Sequence, residues 1–188
     1  GVVTRRSRTR NAAGESPAES TVFDENGVAY TTRTWYILDP FGSRTRVPSR
    51  QVGYDGQETR YAYELANGSR IATVERGVFG QDTLLQGTRS VSVADSRGNQ
   101  LSSADYAVDA GLGVEIKTAE TVNLTFDADG RPTSTRYLDG SISYRTYGCC
   151  GVESETDRDG VTTTYAYDEM KRLSYTVRDG ITTLYGYD

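Results

Sequence analysis

No histidine occurs anywhere in the 188 residues. That removes the commonest general base, the commonest metal ligand and the usual partner of a serine or cysteine nucleophile. Cysteine is nearly absent as well. Cys149 and Cys150 are the only two, too few for a disulfide framework or a zinc site. No stretch approaches the roughly 18 apolar residues that cross a bilayer as a helix, so no membrane insertion is expected. Gly1 leads into an arginine-rich run instead of an apolar signal core, and the chain therefore reads as a mature or excised piece of a longer precursor. Lysine is scarce too, two against 19 arginines, and the net charge is -5. An acidic chain has no long-range field to gather phosphates, which disfavours nucleic-acid partners. Hydrophobic residues make up only 36%, little for a self-sufficient core.

Tyrosine is abundant. Fourteen stand against four phenylalanines and one tryptophan, and tyrosine supplies apolar area while keeping a hydroxyl for a partner. From Asp139 onward the chain repeats with a period of twenty: DGSISYRTYGCCGVESETDR, DGVTTTYAYDEMKRLSYTVR, DGITTLYGYD. Asp-Gly recurs with Gly140, Gly160 and Gly180, and Tyr147, Tyr167 and Tyr187 hold one place in each copy. A fixed period of this kind marks a repeat architecture.

Within a copy, residues alternate. Val161, Thr163, Tyr165 and Tyr167 share one face of an extended strand, and after the DEMK turn Leu173, Tyr175 and Val177 are expected to share one face likewise. Asp159-Gly160 and Asp179-Gly180 are read as two-residue turns with φ > 0. The structure implied is all-β, an antiparallel meander of hairpins. Looser copies lie upstream. YDGQETRYAYELANGSRI (54 to 71) places Glu64 where Asp168 stands, while VSVADSRGNQL (91 to 101) and LTFDADGRPTS (124 to 134) put a strand on either side of an Asp-x-x-Gly turn. DPFGSRTRV (39 to 47) reads as a junction turned by Pro40 and Gly42. Three regions follow: an arginine-rich irregular or edge segment at 1–20, held down by neighbouring strands or another chain; divergent repeats at 21–138; and regular repeats at 139–188, the last truncated.

YAYDEMKRL, YGYD, TFDADGRPTS and the spaced Asp-Gly turns resemble the tyrosine-aspartate (YD) repeat of the RHS and teneurin families, roughly Gly, a gap, then Tyr-x-Tyr-Asp-x-x-Gly-Arg. The match is strongest over 139–188 and covers about half the chain. Lys171 departs from it, standing where the family usually has Gly. The resemblance implies β-hairpin ribbons that spiral into a sheet or shell with tyrosines stacked along the inner surface. It also implies bacterial extracellular or cell-surface proteins, often wrapped around a toxin cargo. The implied role is a non-catalytic structural module whose partners are its own further repeats or identical subunits, polymerising into a filament or extending a shell. No cofactor is expected. The alternative is a carbohydrate-binding adhesin module in which an open, flat face of Tyr165, Tyr167, Tyr185 and Tyr187 stacks on a surface glycan.

GCCG (148 to 151) is the one unusual local feature, and on the period of twenty it falls in a repeat turn. Adjacent Cα atoms lie ~3.8 Å apart, against ~5.5 Å in ordinary disulfides. A strained vicinal disulfide, a bond to another chain or repeat, and two free thiols all remain open here. Asp127-x-Asp129-Gly and Asp157-x-Asp159-Gly faintly resemble calcium loops but lack further carboxylates at alternate positions, so they read as turn formers. Glu153 and Glu155 could be imagined as a glycosidase pair, but on a strand they share a face by alternation alone and the sequence supplies no cleft, so they are not read as one. The arginines favour planar, multidentate pairing with carboxylates, with Arg5, Arg6, Arg8 and Arg10 available to an acidic surface.

Overall fold

The computed structural model describes residues 5–8, as backbone, together with 17–43 and 45–188. Among these the chain is all β, fifteen strands with no helix, and the strand order in the sheet is the order in the sequence. The strands are β1 (Arg5–Arg8), β2 (Ala18–Phe23), β3 (Ala29–Leu38), β4 (Arg46–Val52), β5 (Glu58–Ala66), β6 (Ser69–Gly80), β7 (Thr83–Ala94), β8 (Gln100–Asp109), β9 (Val114–Phe126), β10 (Pro132–Tyr137), β11 (Ile142–Tyr147), β12 (Val152–Thr156), β13 (Thr162–Tyr167), β14 (Leu173–Arg178) and β15 (Ile181–Leu184). Neighbours run antiparallel, as a meander requires. Part of the arginine-rich N-terminal segment is an edge strand, with Arg5 opposite Thr21 and Arg8 opposite Ala18. The side chains of Arg5, Arg6 and Arg8, and Arg10 entirely, lie outside the described residues.

The chain divides into two compact units, Gly1–Gly98 with Ser103–Thr118, and Asn99–Ser102 with Ala119–Asp188. Within each unit the contacting strands are sequence neighbours, so packing is edge to edge. Burial is correspondingly slight. Among the described residues Leu84 and Val108 are the buried hydrophobic side chains, both in the first unit, where Thr59 is also buried. In the second unit the buried side chains are hydroxyls, Ser134, Ser143 and Thr163. Burial of apolar surface usually supplies most of the drive to fold. Side-chain hydrogen bonds, ring contacts and ion pairs join the strands and turns in its place, for example Tyr165 with Glu155, Tyr30 with Tyr54 and Arg145 with Glu155.

The turns show why these residues stop the strands. Asp24, Asp127, Asp157 and Asp168 each accept hydrogen bonds from backbone N–H groups two and four residues on, at 2.8 to 3.0 Å. The side chain thus mimics a turn of backbone. Asp179-Gly180 is the expected two-residue turn, with φ of 50° and 76° and Arg178 opposite Ile181. Asp159-Gly160 is not. The loop there runs from Asp157 to Val161, closed by Asp157 N–H to Val161 O at 3.0 Å and Gly160 N–H to Asp157 O at 3.1 Å. That is a three-residue loop with Gly160 alone at positive φ, 83°. Gly140 closes the same kind of loop onto Tyr137 at 2.9 Å. The period of twenty survives because the preceding turns compensate: Cys149-Cys150 is a two-residue loop, while Glu169 to Lys171 is a three-residue one. Upstream, Asn67-Gly68 makes a two-residue turn with Ala66 opposite Ser69. Glu64 therefore lies inside β5, opposite Ile71, and does not cap a turn as Asp168 does.

A second correction concerns the faces. Tyr167 pairs with Leu173 but Ala166 pairs with Tyr175, so Ser174 is an extra residue in a β-bulge. Cross-strand partners share a face, which puts Leu173 with Tyr167 and Tyr165, and Tyr175 and Val177 on the opposite side with Ala166 and Thr164. The expectation of a single Leu173–Tyr175–Val177 face fails at that one inserted residue. Tyr175 is accordingly exposed. The bulge recurs. Tyr147 pairs with Val152 and Thr146 with Ser154; Phe126 pairs with Pro132 and Thr125 with Ser134; Tyr36 pairs with Pro48 and Trp35 with Arg50. Proline lacks a ladder N–H and is tolerated at bulges and at the first residue of a strand, which accounts for Pro48 inside β4 and Pro132 at the start of β10.

Candidate functional site

Each of these bulges is answered by a tyrosine from the next strand or hairpin. The Tyr63 hydroxyl donates to the Pro48 carbonyl at 2.9 Å, Tyr147 to Pro132 at 3.0 Å, Tyr167 to Val152 at 3.0 Å, and Tyr187 to Leu173 at 2.8 Å. Every acceptor is the residue just before the inserted one. A bulge disrupts the ladder locally, and a backbone carbonyl left short of a partner costs free energy. The tyrosine hydroxyl reaches back and occupies it. This is the physical content of the fixed place held by Tyr147, Tyr167 and Tyr187.

The aspartate of the phrase does a linked job. Besides ordering its turn, Asp168 accepts from Arg172 Nε at 2.8 Å, and Asp127 accepts from Arg131 Nε at 2.6 Å. The guanidinium so held lies over the ring of the tyrosine that follows, Arg172 over Tyr187 at 4.6 Å and Arg131 over Tyr147 at 4.5 Å. Arg158 covers Tyr137, a tyrosine that precedes it, at 4.8 Å, with Asp139 at 3.7 Å as its carboxylate. Contacts of this kind contribute about 0.5–1 kcal/mol each at exposed sites. Carboxylate, guanidinium and phenol thereby form a relay from one hairpin to the next. The Asp168 carboxyl sits below its ordinary range, chiefly because the Arg172 N–H donates to it, with burial opposing and the guanidinium assisting.

Along β11, β12 and β13 a polar ladder crosses the strands. Arg145 pairs with Glu155 at 2.6 Å, and the Tyr165 hydroxyl donates to Glu155 at 3.3 Å. Burial, and then the Glu155 carboxylate, push the Tyr165 phenol up. The first unit repeats the theme with Arg50–Glu58–Arg60 and with Arg89 between Glu75 and Glu115. These arginines thus find carboxylate partners within their own chain: on the neighbouring strand for Arg145, Arg50 and Arg89 with Glu75, on the same strand for Arg60, and one strand further on for Arg89 with Glu115. Glu153 is the inserted residue of its bulge, pressed toward Gly148, while Glu155 pairs with Arg145, so the two carboxylates do not form a pair. Asp127 and Asp157 spend their oxygens on backbone N–H groups and arginines, as turn formers do. Among the described residues no group of three or more potential metal ligands is assembled.

The GCCG turn lies where the period placed it, between β11 and β12, closed by Gly148 N–H to Gly151 O at 2.9 Å. Cys149 is exposed and Cys150 half-exposed, and neither is in a disulfide. Their sulfurs lie 2.7 Å apart. With Glu153, Tyr165 and Tyr167 the turn borders a shallow hollow of about 230 Å³.

Tyr165 and Tyr167 are half-buried, whereas Tyr185 and Tyr187 are 43% and 49% exposed. The four therefore do not form one uniformly open face. Sequence alone did not single out the carbonyl acceptors Pro48, Pro132, Val152 and Leu173, nor the stacking arginines. The only available signs were two prolines inside alternating runs and the Asp-to-Arg spacing of four in Asp127/Arg131 and Asp168/Arg172. No protein-family model matches the chain, and no curated protein matches it either.

Proposed function

We propose that the chain is a non-catalytic structural repeat module of the RHS/YD kind, acting outside the cell or at its surface by extending a β-shell or fibre. The observation that supports this most directly is the recurring lock between hairpins, in which a bulge carbonyl is closed by the tyrosine hydroxyl 14 or 15 residues on. Residues at the most regular positions of the repeat spend their polar atoms on joining neighbours. Stability in such an array adds up from each repeat and its contacts with the next, and growth continues from an end. β15 stands at one end of the strand order with all four residues exposed, an edge suited to further repeats or to an identical subunit.

The adhesin reading finds less support. Guanidinium groups lie over Tyr147 and Tyr187, on ring faces that a sugar would need for stacking. Appending one further twenty-residue repeat after β15 tests the structural reading. The denaturation midpoint should rise and the added segment should gain protection from hydrogen exchange. An unchanged midpoint with an unprotected addition would sink it. Electron microscopy of concentrated chain separates the two assembly modes, since filaments indicate growth between subunits and monodisperse particles indicate growth within a longer chain.

A further inference from the structure

Cys149 and Cys150 occupy the two central positions of a turn that needs no cysteine. The turn at the same place in the next repeat, one residue longer, is built with Glu169, Met170 and Lys171 and closes without cysteine, Asp168 N–H to Arg172 O at 2.8 Å. A structural free cysteine is ordinarily buried as a small hydrophobe, but Cys149 is exposed and Cys150 half-exposed. Their sulfurs are 2.7 Å apart, well inside ordinary contact between two thiols. Gly148 and Gly151 flank them, and Gly151 has φ +149, a conformation that L side chains rarely adopt. Glycines on both sides leave the turn free to take up the strain of a ring closed between adjacent residues.

The geometry points to a two-electron redox site at Cys149–Cys150, a dithiol that closes to a vicinal disulfide by exchange with a small-molecule disulfide and reopens with a small-molecule thiol. The exposed Cys149 thiolate attacks one sulfur of the incoming disulfide, releasing one thiol and leaving a mixed disulfide on Cys149. The Cys150 thiolate then attacks the Cys149 sulfur, forming the intramolecular bond and releasing the second thiol. The chain loses two protons and two electrons, and the incoming disulfide takes them up to become two thiols. The hydrogen bond with Cys149, and then burial, hold the Cys150 thiol above its ordinary range, while the Lys171 ammonium works the other way. Cys149 is the more exposed of the two, which makes it the sulfur that meets the incoming disulfide and leaves Cys150 to resolve.

The site also touches the lock between hairpins. A Cβ on Gly151 would fall 2.7 Å from the Tyr167 hydroxyl, which donates to the adjacent Val152 carbonyl. Ring closure in this turn thus acts on a repeat joint directly, and not on a free loop.

The test uses the full chain treated with oxidised glutathione, then alkylated and weighed by mass spectrometry without reduction. The expected product is a monomer lighter by two hydrogen atoms, carrying no alkyl label and no glutathione. Dithiothreitol should restore two labels. Cys150→Ser should stop at a glutathione adduct on Cys149, because the resolving sulfur is gone. Two labels persisting after oxidised glutathione would overturn the proposal. So would a stable glutathione adduct on the unaltered chain, or a disulfide-linked dimer, since each shows that the two sulfurs do not close on one another.

Discussion

The Tyr167 hydroxyl donates to the Val152 carbonyl at 3.0 Å, closing a bulge in one hairpin with a side chain from the next strand. The bond ties together three features that look independent in the sequence: the fixed place of the tyrosine, the inserted residue Glu153, and Gly151, whose missing Cβ leaves room for the phenol. The bulge and its hydroxyl bond recur at Tyr147 and Tyr187, where Arg131 and Arg172 stand in the place of Gly151 and lie over the ring instead.

Removing that hydroxyl alone should weaken the joint. Tyr167→Phe keeps the ring and deletes one neutral hydrogen bond to a part-buried carbonyl, a loss of about 1 kcal/mol. Tyr144→Phe, at a position 53% exposed, should stay within about 0.5 kcal/mol. Urea denaturation of both variants checks this, and equal midpoints would show that the lock adds nothing to stability. Hydrogen exchange at Val152 to Thr156 should rise in the first variant and not in the second.

Lys171 sits at φ 63, and Gly160 occupies the matching place of its own three-residue loop at φ 83. A non-glycine residue in this region carries a penalty of roughly 1–2 kcal/mol, part of which glycine gives back as chain entropy. Lys171→Gly is therefore expected to stabilise the chain by about 0.5–1 kcal/mol, and Gly160→Ala to destabilise it by about 1 kcal/mol. Opposite shifts in thermal midpoint are the readout.

Much of the fold was legible because alternation and turn chemistry are local. Tyr165 and Tyr167 share a face with Thr163, Asp168 caps its turn, and the cysteines fall in a loop, all from spacing alone. What escaped depends on residues distant in sequence. Ser174 is inserted where the Tyr187 hydroxyl arrives to occupy the Leu173 carbonyl, and no pattern within Leu173 to Val177 announces it. The dipeptides at 159–160 and 179–180 are identical, yet the first closes a three-residue loop and the second a two-residue one. The difference is set one turn earlier, where GCCG is one residue shorter than DEMKR. The sulfur-to-sulfur approach at Cys149 and Cys150 likewise follows from the closed turn, which composition does not reveal.

Gly77 and Gly87 face each other across β6 and β7 at φ +151 and +153. A Cβ on Gly87 would stand 2.0 Å from the Arg76 carbonyl oxygen, and one on Gly77 equally close to that of Gln86. The obstacle is backbone on both sides, so no rotamer change relieves it. Gly87→Ala should cost more than about 2 kcal/mol, with exchange protection lost first around Arg76 and Gln86. An alanine tolerated there without a shift in thermal midpoint would contradict the close approach.

Stability should respond to acid and to little else near neutrality. With no histidine in the chain, no imidazole titrates between about pH 5 and 8. The turn carboxylates set the acid limb. Asp157 is held low first by the Val161 N–H, with burial opposing and Arg178 assisting, and Asp168 first by the Arg172 N–H. A carboxyl whose folded pKa lies below its unfolded value of about 3.9 binds its proton more readily in the unfolded chain. Its stabilisation is present above that value and is lost as pH falls through the folded pKa. Denaturation midpoints should thus be flat from about pH 5 to 8 and decline below about pH 4. In Asp168→Asn the amide oxygen still accepts from Met170 and Arg172 N–H but no longer charge-pairs with the guanidinium. That variant should lose part of the acid dependence while keeping the turn, and a full acid decline in it would show that Asp168 contributes nothing as a charge.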